Sequence, residues 1–466
     1  MRKTAIRKID GYLRSLSAKE TGALQRLFLR EVERLNIRYL NDFGKPRNIA
    51  LVLRPWLVEP GEAKLLHRLI YSFRNMHAKL FPLYFSHPGI RQALPLRRQE
   101  KEWFELINRK SLQKYQVVFG RWDTNACFDK ESRVGDIMFL ETNTVGIGGI
   151  HYIPVVSEAL SSILKASLEH RIRPCCLGHQ ADPRLLLAEE IKRHARLINR
   201  KSLNVAFIEN REFLAGTVEL PELTKFFNNL GIKAILADPR DLKAKGQEIY
   251  YRDVRLDIIY RDSELQELID IEKKGHGMQA LKQAFINNQV ISSIAGELDH
   301  KSVFEVFSSP EFYSLFNAKE RQLLKRHVPW TRLLKERCTA DESLRRIDLA
   351  PFVEKNKDKL IIKPNRAYGG KGVVIGKLTG KKVWRDYLEK ALAKPGTYVV
   401  QRLVMIHQEE FPYFSDEEKI TFDRFYGVSG FVVTAKSTAV LGRFSKEMVV
   451  NVARKGGIIP TLMLHH

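Results

Sequence analysis

The feature that most constrains how this chain can fold is a glycine-rich turn between two apolar runs at residues 360–376, LIIKPNRAYGGKGVVIG. The first apolar run ends in Lys363. The turn contains three glycines and a lysine: Gly369, Gly370, Lys371 and Gly372. Glycines let backbone N–H groups approach anionic oxygens without a Cβ in the way. The pattern therefore predicts a β-hairpin that closes over the phosphates of a nucleotide, with an ordinary glycine hairpin as the alternative.

Two commoner phosphate-binding motifs are excluded by the residues around this turn. A Walker loop needs Gly-Lys-Ser or Gly-Lys-Thr followed by a helix, and that order is absent. A dinucleotide fingerprint also places a helix directly after its glycines, whereas an apolar strand is predicted here. The turn is therefore expected to act as a mobile hairpin and not as the cap of a helix.

A second informative segment lies much earlier in the chain, where two predicted strands end in polar residues. Asp123 follows the run QVVFG, and Glu141 and Asn143 end the run DIMFLETN. Residues two apart share one face of a strand, so the carboxylate and the amide lie side by side. Oxygen ligands of this kind suit Mg²⁺. The segment predicts a magnesium site, with a polar surface turn as the alternative, and the glycines of 146–149 offer free backbone N–H groups to a carboxylate or phosphate.

The middle of the chain predicts a small parallel α/β unit. Apolar strands are expected at 203–209, 249–252 and 256–261, with a further strand at 233–238 after a helix at 213–230. Strands that alternate with helices are typical of parallel sheets. No G-x-G-x-x-G occurs there, so a dinucleotide is not expected. The first 45 residues predict amphipathic helix.

Charge and composition limit the partners. Lys and Arg exceed Asp and Glu, 78 to 54, and the net charge of +24 predicts an anionic partner, with a generally basic surface as the alternative. The basic residues are spread along the chain, and no nucleic-acid-binding motif accompanies them. We therefore expect no dedicated nucleic-acid partner, although a basic nucleic-acid binder is kept as an alternative.

The apolar runs and the cysteines indicate in which cellular compartment we expect the protein. No run reaches about 18 apolar residues, the length that a membrane-spanning helix needs. The basic N-terminus lacks the apolar core of a secretory signal. The four cysteines are not spaced as metal ligands: Cys127, Cys175, Cys176 and Cys338. A cytoplasmic protein with reduced thiols and no membrane partner is the expectation.

Together these stretches resemble the ATP-grasp ligases, and more narrowly the circularly permuted branch. Eukaryotic-type glutathione synthetase and the synthetase part of glutathionylspermidine synthase belong to that branch. In an unpermuted enzyme the E-x-N strand follows the glycine hairpin, whereas Glu141 precedes Lys363 here. The resemblance runs from about residue 115 to the C-terminus and rests on these segments: FGRWD (119–123), FLETNTVGIGG (139–149), SIAGELDHK (293–301), IIKPNRAYGGKGV (361–373), FDRFYGVSGFVV (422–433) and the run from VLGRF (440–444) to Gly457.

The resemblance implies an α/β (α+β) fold. This would be a circularly permuted ATP-grasp fold with an inserted small parallel α/β substrate domain and a helical N-terminal region. Four divisions are predicted: a helical N-terminal region at 1–115, the metal-binding strands at 116–200, the small α/β domain at 201–290, and the nucleotide-binding lobes with their glycine-rich lid at 291–466.

The resemblance also implies roles for individual residues, with ATP and Mg²⁺ as cofactors. The implied metal ligands are Asp123, Glu141 and Asn143. ATP would be held by Lys301, Lys363, Gly369, Gly370, Lys371, Gly372, Gln401, Arg402, Leu403 and Val404. Catalytic roles fall to Arg121, Lys371 and Arg443. The substrate would contact Arg121, Thr144, Gly148, Gly149, Gly456 and Gly457. Two positions depart from the family: Ala367-Tyr368 stands where glutathione synthetase has a metal-binding Glu, and Gln401 where a Glu is common.

The implied activity is an ATP-dependent carboxylate–amine ligase that works through an acyl phosphate. Its expected partners are small-molecule carboxylates and amines, acidic ones among them, and a homodimer is left open. A catalytically inactive ATP-binding scaffold or sensor of the same fold is the alternative that Ala367 and Gln401 favour.

Overall fold

The fold is known from a computed structural model of the chain. It describes residues 2–40, 45–128, 134–168, 177–212, 218–367, 369–415, 419–450 and 456–465. Tyr368, Cys175 and Cys176, which the sequence analysis singled out, lie outside the described residues, as do the first residues of the helix predicted at 213–230. Cys127 and Cys338 carry thiols and form no disulfide.

Side chains cap the first turn of several helices. Ser17 and Glu20 form a capping box at the second helix, in which each side chain satisfies a backbone N–H that the helix leaves open. Asp182 caps the ninth helix, and Pro183 takes the first helical position, where its missing N–H is not needed. The helices are α1 (Arg2–Ser15), α2 (Ala18–Arg34), α3 (Pro60–Ala78), α4 (Leu80–Ser86), α5 (Pro88–Ala93), α6 (Arg98–Glu105), α7 (Lys110–Gln113), α8 (Tyr152–Leu168), α9 (Pro183–Leu197), α10 (Glu219–Asn229), α11 (Leu265–Lys273), α12 (Gln279–Ile286), α13 (Val303–Ser308), α14 (Ala318–His327), α15 (Leu349–Lys355) and α16 (Lys381–Leu392).

The strands form several sheets, and three of these position the site. The strands are β1 (Arg38–Leu40), β2 (Pro46–Asn48), β3 (Ala50–Leu51), β4 (Trp56–Val58), β5 (Arg121–Thr124), β6 (Phe139–Asn143), β7 (Leu177–His179), β8 (Asn204–Ile208), β9 (Lys233–Ala237), β10 (Leu242–Lys245), β11 (Glu248–Tyr251), β12 (Val254–Leu256), β13 (Ile258–Arg261), β14 (Val290–Ile291), β15 (Thr331–Leu333), β16 (Cys338–Ala340), β17 (Arg346–Asp348), β18 (Leu360–Pro364), β19 (Val374–Ile375), β20 (Tyr398–Arg402), β21 (Gln408–Phe414), β22 (Ile420–Val433), β23 (Thr438–Ser445), β24 (Gly456–Ile459) and β25 (Thr461–Leu464).

The largest sheet joins distant parts of the chain. Its order is β3-β24-β23-β22-β5-β6, and β21 also pairs with β22. The strands that carry the predicted metal ligands, β5 and β6, therefore pair with the long strand β22 near the C-terminus. The predicted N-terminal region contributes strands as well as helices, because β3 runs parallel to β24 and β4 parallel to β25.

The glycine-rich turn lies in a separate four-stranded sheet with the order β15-β20-β18-β19. Strands β18 and β19 pair antiparallel on either side of the turn, so the predicted hairpin is present. Behind this sheet, α15 and α16 bury an apolar cluster that includes Trp330, Leu360, Trp384 and Val400. This close packing fixes the position of β18, the strand that precedes the turn.

The small parallel sheet has the order β14-β13-β8-β9. Its strands are parallel throughout, as predicted. The strand expected at 249–252 is not part of it. That segment forms β11, the centre of an antiparallel ribbon β10-β11-β12, because the short turns on both sides of β11 return the chain at once.

None of the helices in the described part of the chain is both long and apolar enough to cross a membrane.

Candidate active site

A cavity lies where the edge of the largest sheet meets the sheet β15-β20-β18-β19, which carries the glycine-rich turn. Most of the predicted site residues line this cavity. We call it the central cavity. The predicted residues that line it are Arg121, Asp123, Glu141, Asn143, Lys301, Lys363, Gly369, Gly370, Gln401, Leu403, Val404 and Arg443. These residues come from segments far apart in the sequence, so the fold has brought them together.

Strand pairing arranges the polar groups on β5 and β6. Asp123 lies opposite Glu141, and Arg121 lies opposite Asn143. Because side chains two apart share a face, all four belong to one face of this antiparallel pair. The predicted side-by-side placement of Glu141 and Asn143 is therefore present.

Asp123 lies between two guanidinium groups. Arg121 Nε is 2.8 Å from Asp123 Oδ1, and Arg443 Nη2 is 2.7 Å from Oδ2. Asn143 Nδ2 donates to the same Oδ2 at 3.1 Å. Burial raises the pKa of Asp123, but the two arginines more than offset this and bring the pKa below its usual range. Asp123 is thus an ionised carboxylate that fixes Arg121 and Arg443 in the cavity wall.

Lys301 lies two residues before α13 and reaches both sheets. Its Nζ is 2.7 Å from Glu141 Oε1 and donates to the carbonyl oxygen of Ala367 at 2.6 Å. Ala367 belongs to the glycine-rich turn, so one ammonium group ties the turn to the strand with the predicted metal ligand. This is the position at which a phosphate between the two sheets would meet positive charge.

Lys363 lies on β18 and points into the cavity. Its Nζ donates to Gln401 Oε1 at 2.7 Å, and Gln401 Nε2 donates to Thr331 Oγ1 at 3.0 Å. Burial lowers the pKa of Lys363 to about 8; the charge of Glu141 opposes this shift and that of Lys301 adds to it. An anion bound next to Lys363 would stabilise its charged form.

Part of the lining of the central cavity is apolar. This part consists of side chains of the hairpin strands, of the segment after β20 and of the segment before residue 451: Ile361, Val373, Ile375, Leu403, Val404, Ile406, Met448, Val449 and Val450. A flat, weakly polar group fits such side chains, while anionic groups fit the lysines. The lining is therefore suited to a ligand that has both apolar and anionic parts.

The glycines of the turn have a conformational reason to be there. Gly369, Gly370 and Gly372 have φ near +70°, a region that side chains with a Cβ disfavour. A Cβ on Gly370 would also lie 2.5 Å from Val449. The turn thus passes closely over the segment that forms the other side of the cavity.

Several predicted residues do not line the central cavity. Lys371 is exposed at the tip of the turn, and Arg402 faces outward, 3.4 Å from Glu342. Gly372 lies beside Pro364. Gly456 and Gly457 are buried in β24, where they pair with Ser445 and Phe444. The roles assigned to these residues stay predictions.

The loop after β6 differs from the expectation that its backbone N–H groups are available. Gly149 N donates to both carboxylate oxygens of Glu219, at 3.0 and 2.8 Å. Thr144 is buried, and its hydroxyl donates to Gly296 O. Gly148 O accepts from Arg121 Nη1 at 2.7 Å. A carboxylate of the protein itself therefore takes the N–H group of Gly149 that was expected to meet a substrate.

The oxygens at this site fit Mg²⁺ in part. Both oxygens of Asp123 accept hydrogen bonds from guanidinium groups, whereas Glu141 Oε2 and Asn143 Oδ1 accept none from the described residues. Mg²⁺ commonly takes one or two protein oxygens and completes its shell with phosphate and water. Within the described ranges, no group of three or more His, Cys, Asp or Glu side chains could hold a metal ion. Glu141 and Asn143 are thus the pair that fits the ion together with a nucleotide.

Sequence reasoning missed a set of acidic residues next to this loop. Glu209 and Asp262 directly follow the buried strands β8 and β13, and Glu219 opens α10. An acidic residue at the end of a buried strand was the available signal, since the carboxyl ends of parallel strands meet at one edge of a sheet.

Among solved structures, the fold is similar to that of a glutathione synthetase-like effector from Globodera pallida. The TM-score is 0.62, with 11% sequence identity over 92% of this chain and 96% of that chain. This likeness confirms the predicted α/β class and the predicted resemblance at the level of the fold. At this identity it shows the fold alone, and the permuted strand order stays a prediction.

Two further solved structures have a lower structural similarity to this chain. A candidate γ-glutamylcysteine synthetase from Methylobacillus flagellatus KT has a TM-score of 0.40 at 10% identity, over 82% of this chain and 86% of that chain. A RimK-domain ATP-grasp protein from Sphaerobacter thermophilus has a TM-score of 0.26 at 13% identity, over 51% of this chain and 89% of that chain. Scores this low carry no argument. No family model and no curated protein sequence matches the chain.

Proposed function

We propose that this chain is an ATP-dependent ligase that joins a carboxylate to an amine. The observation that carries the proposal is the convergence of Lys301, Lys363 and Glu141 on one cavity beneath a glycine hairpin. The lysines would neutralise the phosphates of ATP, and the apolar side chains of the lining would hold the base. The glutathione synthetase-like fold supports this reading.

In the proposed reaction, a carboxylate oxygen attacks the γ-phosphorus of ATP, and the bond to ADP breaks. The resulting acyl phosphate is attacked by an amine nitrogen, the bond from the acyl carbon to phosphate breaks, and the nitrogen loses a proton. Bound Mg²⁺, held by Glu141 and Asn143, would supply charge neutralisation at the phosphates. Arg121 and Arg443, fixed by Asp123, would orient the substrate carboxylate, and the hairpin would exclude water from the acyl phosphate.

The test is a screen of ADP release over carboxylates crossed with amines, followed by mass spectrometry of the product. Lys363→Met should reduce kcat/KM for ATP about 100-fold, because a preorganised charge at the transferring group is lost. Glu141→Gln should reduce kcat/KM for ATP by a similar factor. The matched control is Lys359→Met, which removes an exposed lysine near the start of the same strand and should leave the rate unchanged.

Two observations favour a second candidate, an ATP-binding scaffold without ligation. By the resemblance, Ala367-Tyr368 stands where glutathione synthetase has a metal-binding Glu, and Asp123 is engaged by two arginines. That reading predicts tight MgATP binding that Lys363→Met weakens, with no ADP released by any pair of substrates. Release of ADP together with an amide product would exclude it.

A further inference from the structure

A pocket separate from the central cavity lies beside the start of the glycine-rich turn. Three segments that are far apart in the sequence form its walls: residues 95–97 before α6, residues 364–367 at the end of β18, and residues 390 and 394–398 from the end of α16 to the start of β20. We call it the basic pocket. Its volume of about 430 Å³ lies within the range of small-molecule sites. The pocket is therefore large enough for a small ligand of its own.

A buried asparagine holds the walls of the basic pocket together. Asn365 is only 1% exposed and lines the pocket. Its backbone N–H group donates to Thr397 O at 2.8 Å, and its Nδ2 donates to Gly396 O at 3.1 Å. Asn365 Oδ1 accepts from Ser302 N at 2.9 Å. These hydrogen bonds fix the end of β18 against the turn before β20, so the pocket is formed by the fold itself.

The charged side chains among the described lining residues are all cations. They are Arg97, Arg366, Lys390 and Lys394, and no aspartate or glutamate is among them. Lys390 and Lys394 form no ion pair within the described part of the chain. Arg97 Nη1 donates to the neutral amide oxygen of Gln266. Three of the four positive charges are therefore not neutralised by a carboxylate of the described residues.

The surroundings of the fourth cation also stay positive. Arg366 pairs with Glu100, which is fully buried and accepts from Arg97 N at 2.6 Å. His300 is 1% exposed, and neither of its ring nitrogens has a hydrogen-bond partner among the described residues. Burial lowers the pKa of His300 well below its usual range, and the charges of Arg366, Lys301 and Arg97 lower it further. This shift indicates a positive potential that Glu100 does not cancel.

The basic pocket and the central cavity share one residue, Ala367. The carbonyl oxygen of Ala367 accepts from Lys301 Nζ, which lies in the central cavity, at 2.6 Å. The preceding residue, Arg366, lines the basic pocket. A ligand bound to Arg366 and a nucleotide bound to Lys301 would therefore act on the same short segment, which leads into the glycine-rich turn.

We infer that the basic pocket binds a small anion with two or more charges, carried by phosphate or carboxylate groups, and that this anion regulates nucleotide binding by holding the start of the glycine-rich turn. Several cations around one cavity favour a ligand with several anionic groups, since each group gains its own charged contact. The binding site does not depend on the proposed ligation. The regulation rests on the nucleotide binding that the proposed function assigns to the central cavity.

The direct test is calorimetry in magnesium-free buffer, with inorganic pyrophosphate and citrate as probes and acetate as the monovalent comparison. Both probes should bind the wild-type chain, and acetate should not. Binding of pyrophosphate alone would assign the pocket to phosphates, and binding of citrate alone would assign it to carboxylates. Lys390→Met/Lys394→Met should raise the Kd of a bound probe about tenfold, because two charged contacts are lost.

A matched double variant controls for the loss of two charges. Lys381→Met/Lys382→Met removes two exposed lysines from the start of the same helix and should leave the Kd of the probe unchanged. Lys363→Met should also leave it unchanged, since Lys363 lines the central cavity and not the basic pocket. A Kd raised by Lys363→Met would place the anion in the central cavity and overturn the inference. Equal binding by wild type and Lys390→Met/Lys394→Met, or binding of neither probe, would overturn it too.

The regulation is tested by titrating ATP with and without saturating probe. In wild type the bound probe should lower the Kd for ATP about fivefold, and ATP should lower the Kd of the probe by the same factor, because coupling between two sites is reciprocal. Lys390→Met/Lys394→Met should bind ATP as wild type does without showing this effect. A Kd for ATP that the probe raises or leaves unchanged would overturn the regulation. Intact probe binding with no ADP release from any pair of substrates would leave the pocket in place and overturn the ligase.

Discussion

The two neighbouring cavities have opposite electrostatics. The central cavity presents Lys301, Lys363, Arg121 and Arg443, and each acidic group among them is paired with one of these cations. Another pocket, which we call the switch-point pocket, is lined by loop residues 146–148 and 150, by Tyr260 and by the carboxylates Glu219 and Asp262, and its described lining residues include no lysine or arginine. Arg121 Nη1 donates to Gly148 O at 2.7 Å, so Arg121 of the central cavity contacts the loop that lines the switch-point pocket.

This difference places two opposite electrostatic environments on the two sides of one loop. Anionic groups are attracted to the lysine side and repelled from the carboxylate side, and the reverse holds for an ammonium group. The loop after β6 then sets the distance between the two cavities. The predictions below test this contrast from the largest expected effect to the smallest.

The same substitution should have opposite effects on stability in the two cavities. Asp123→Asn removes the carboxylate that two buried guanidinium groups share, so the free energy of unfolding should fall by about 3–5 kcal/mol. Asp262→Asn removes a half-buried charge that has no ion pair or hydrogen bond among the described residues, so the free energy of unfolding at pH 7 should rise by about 1–3 kcal/mol. Urea unfolding at pH 7 measures both. A loss of stability in Asp262→Asn would contradict the assigned charge contrast.

The dependence of stability on pH should also separate the cavities. The pKa values of Asp262, Glu219 and Glu209 are raised to about 6, 7 and 8, chiefly by burial. A group with a raised pKa contributes stability at low pH and loses it as the pH rises through the folded-state value. The free energy of unfolding should therefore fall between pH 5 and pH 8.

The double variant Asp262→Asn/Glu209→Gln checks the source of that fall. In this variant the free energy of unfolding should fall by about 1–3 kcal/mol less between pH 5 and pH 8 than in wild type, because two of the titrating groups are gone. Asp253→Asn serves as the exposed control. Parallel pH profiles for wild type and the double variant would show that the decline has another origin.

ATP binding should depend on pH through Lys363. Its pKa is lowered to about 8 by burial, so in the free protein it loses its proton above pH 8, whereas bound phosphates favour the charged form. The affinity for ATP should fall by up to about tenfold per pH unit above pH 8, with proton uptake on binding. Calorimetry in buffers of different ionisation enthalpy measures both. Lys363→Arg, which stays charged, should show no such fall and no uptake.

The smallest effect concerns Gln401, which accepts a hydrogen bond from Lys363. Gln401→Glu places a carboxylate at the same 2.7 Å contact and should raise the pKa of Lys363. The alkaline loss of ATP affinity should then begin about one pH unit higher. Gln408→Glu adds the same charge at an exposed position and should not move the profile.

Local patterns in the sequence predicted the parts of the site that depend on neighbours along the chain. The glycine hairpin between β18 and β19 and the pair Glu141 and Asn143 on one face of β6 are present as expected. Strand alternation and the demand of a tight turn for glycine are short-range properties, so a single sequence carries them.

What the sequence determined by itself was thus the glycine hairpin, the shared face of Glu141 and Asn143, and the fold class. Tertiary structure alone decided that Asp123 holds Arg121 and Arg443, that Glu219 takes the N–H group of Gly149, and that Glu209 lies beside Asp262. These contacts depend on strand order and register between segments far apart in the chain. The effect of a charged side chain depends on the groups that surround it in the folded chain. A net charge of +24 therefore gave no indication of a pocket lined by carboxylates.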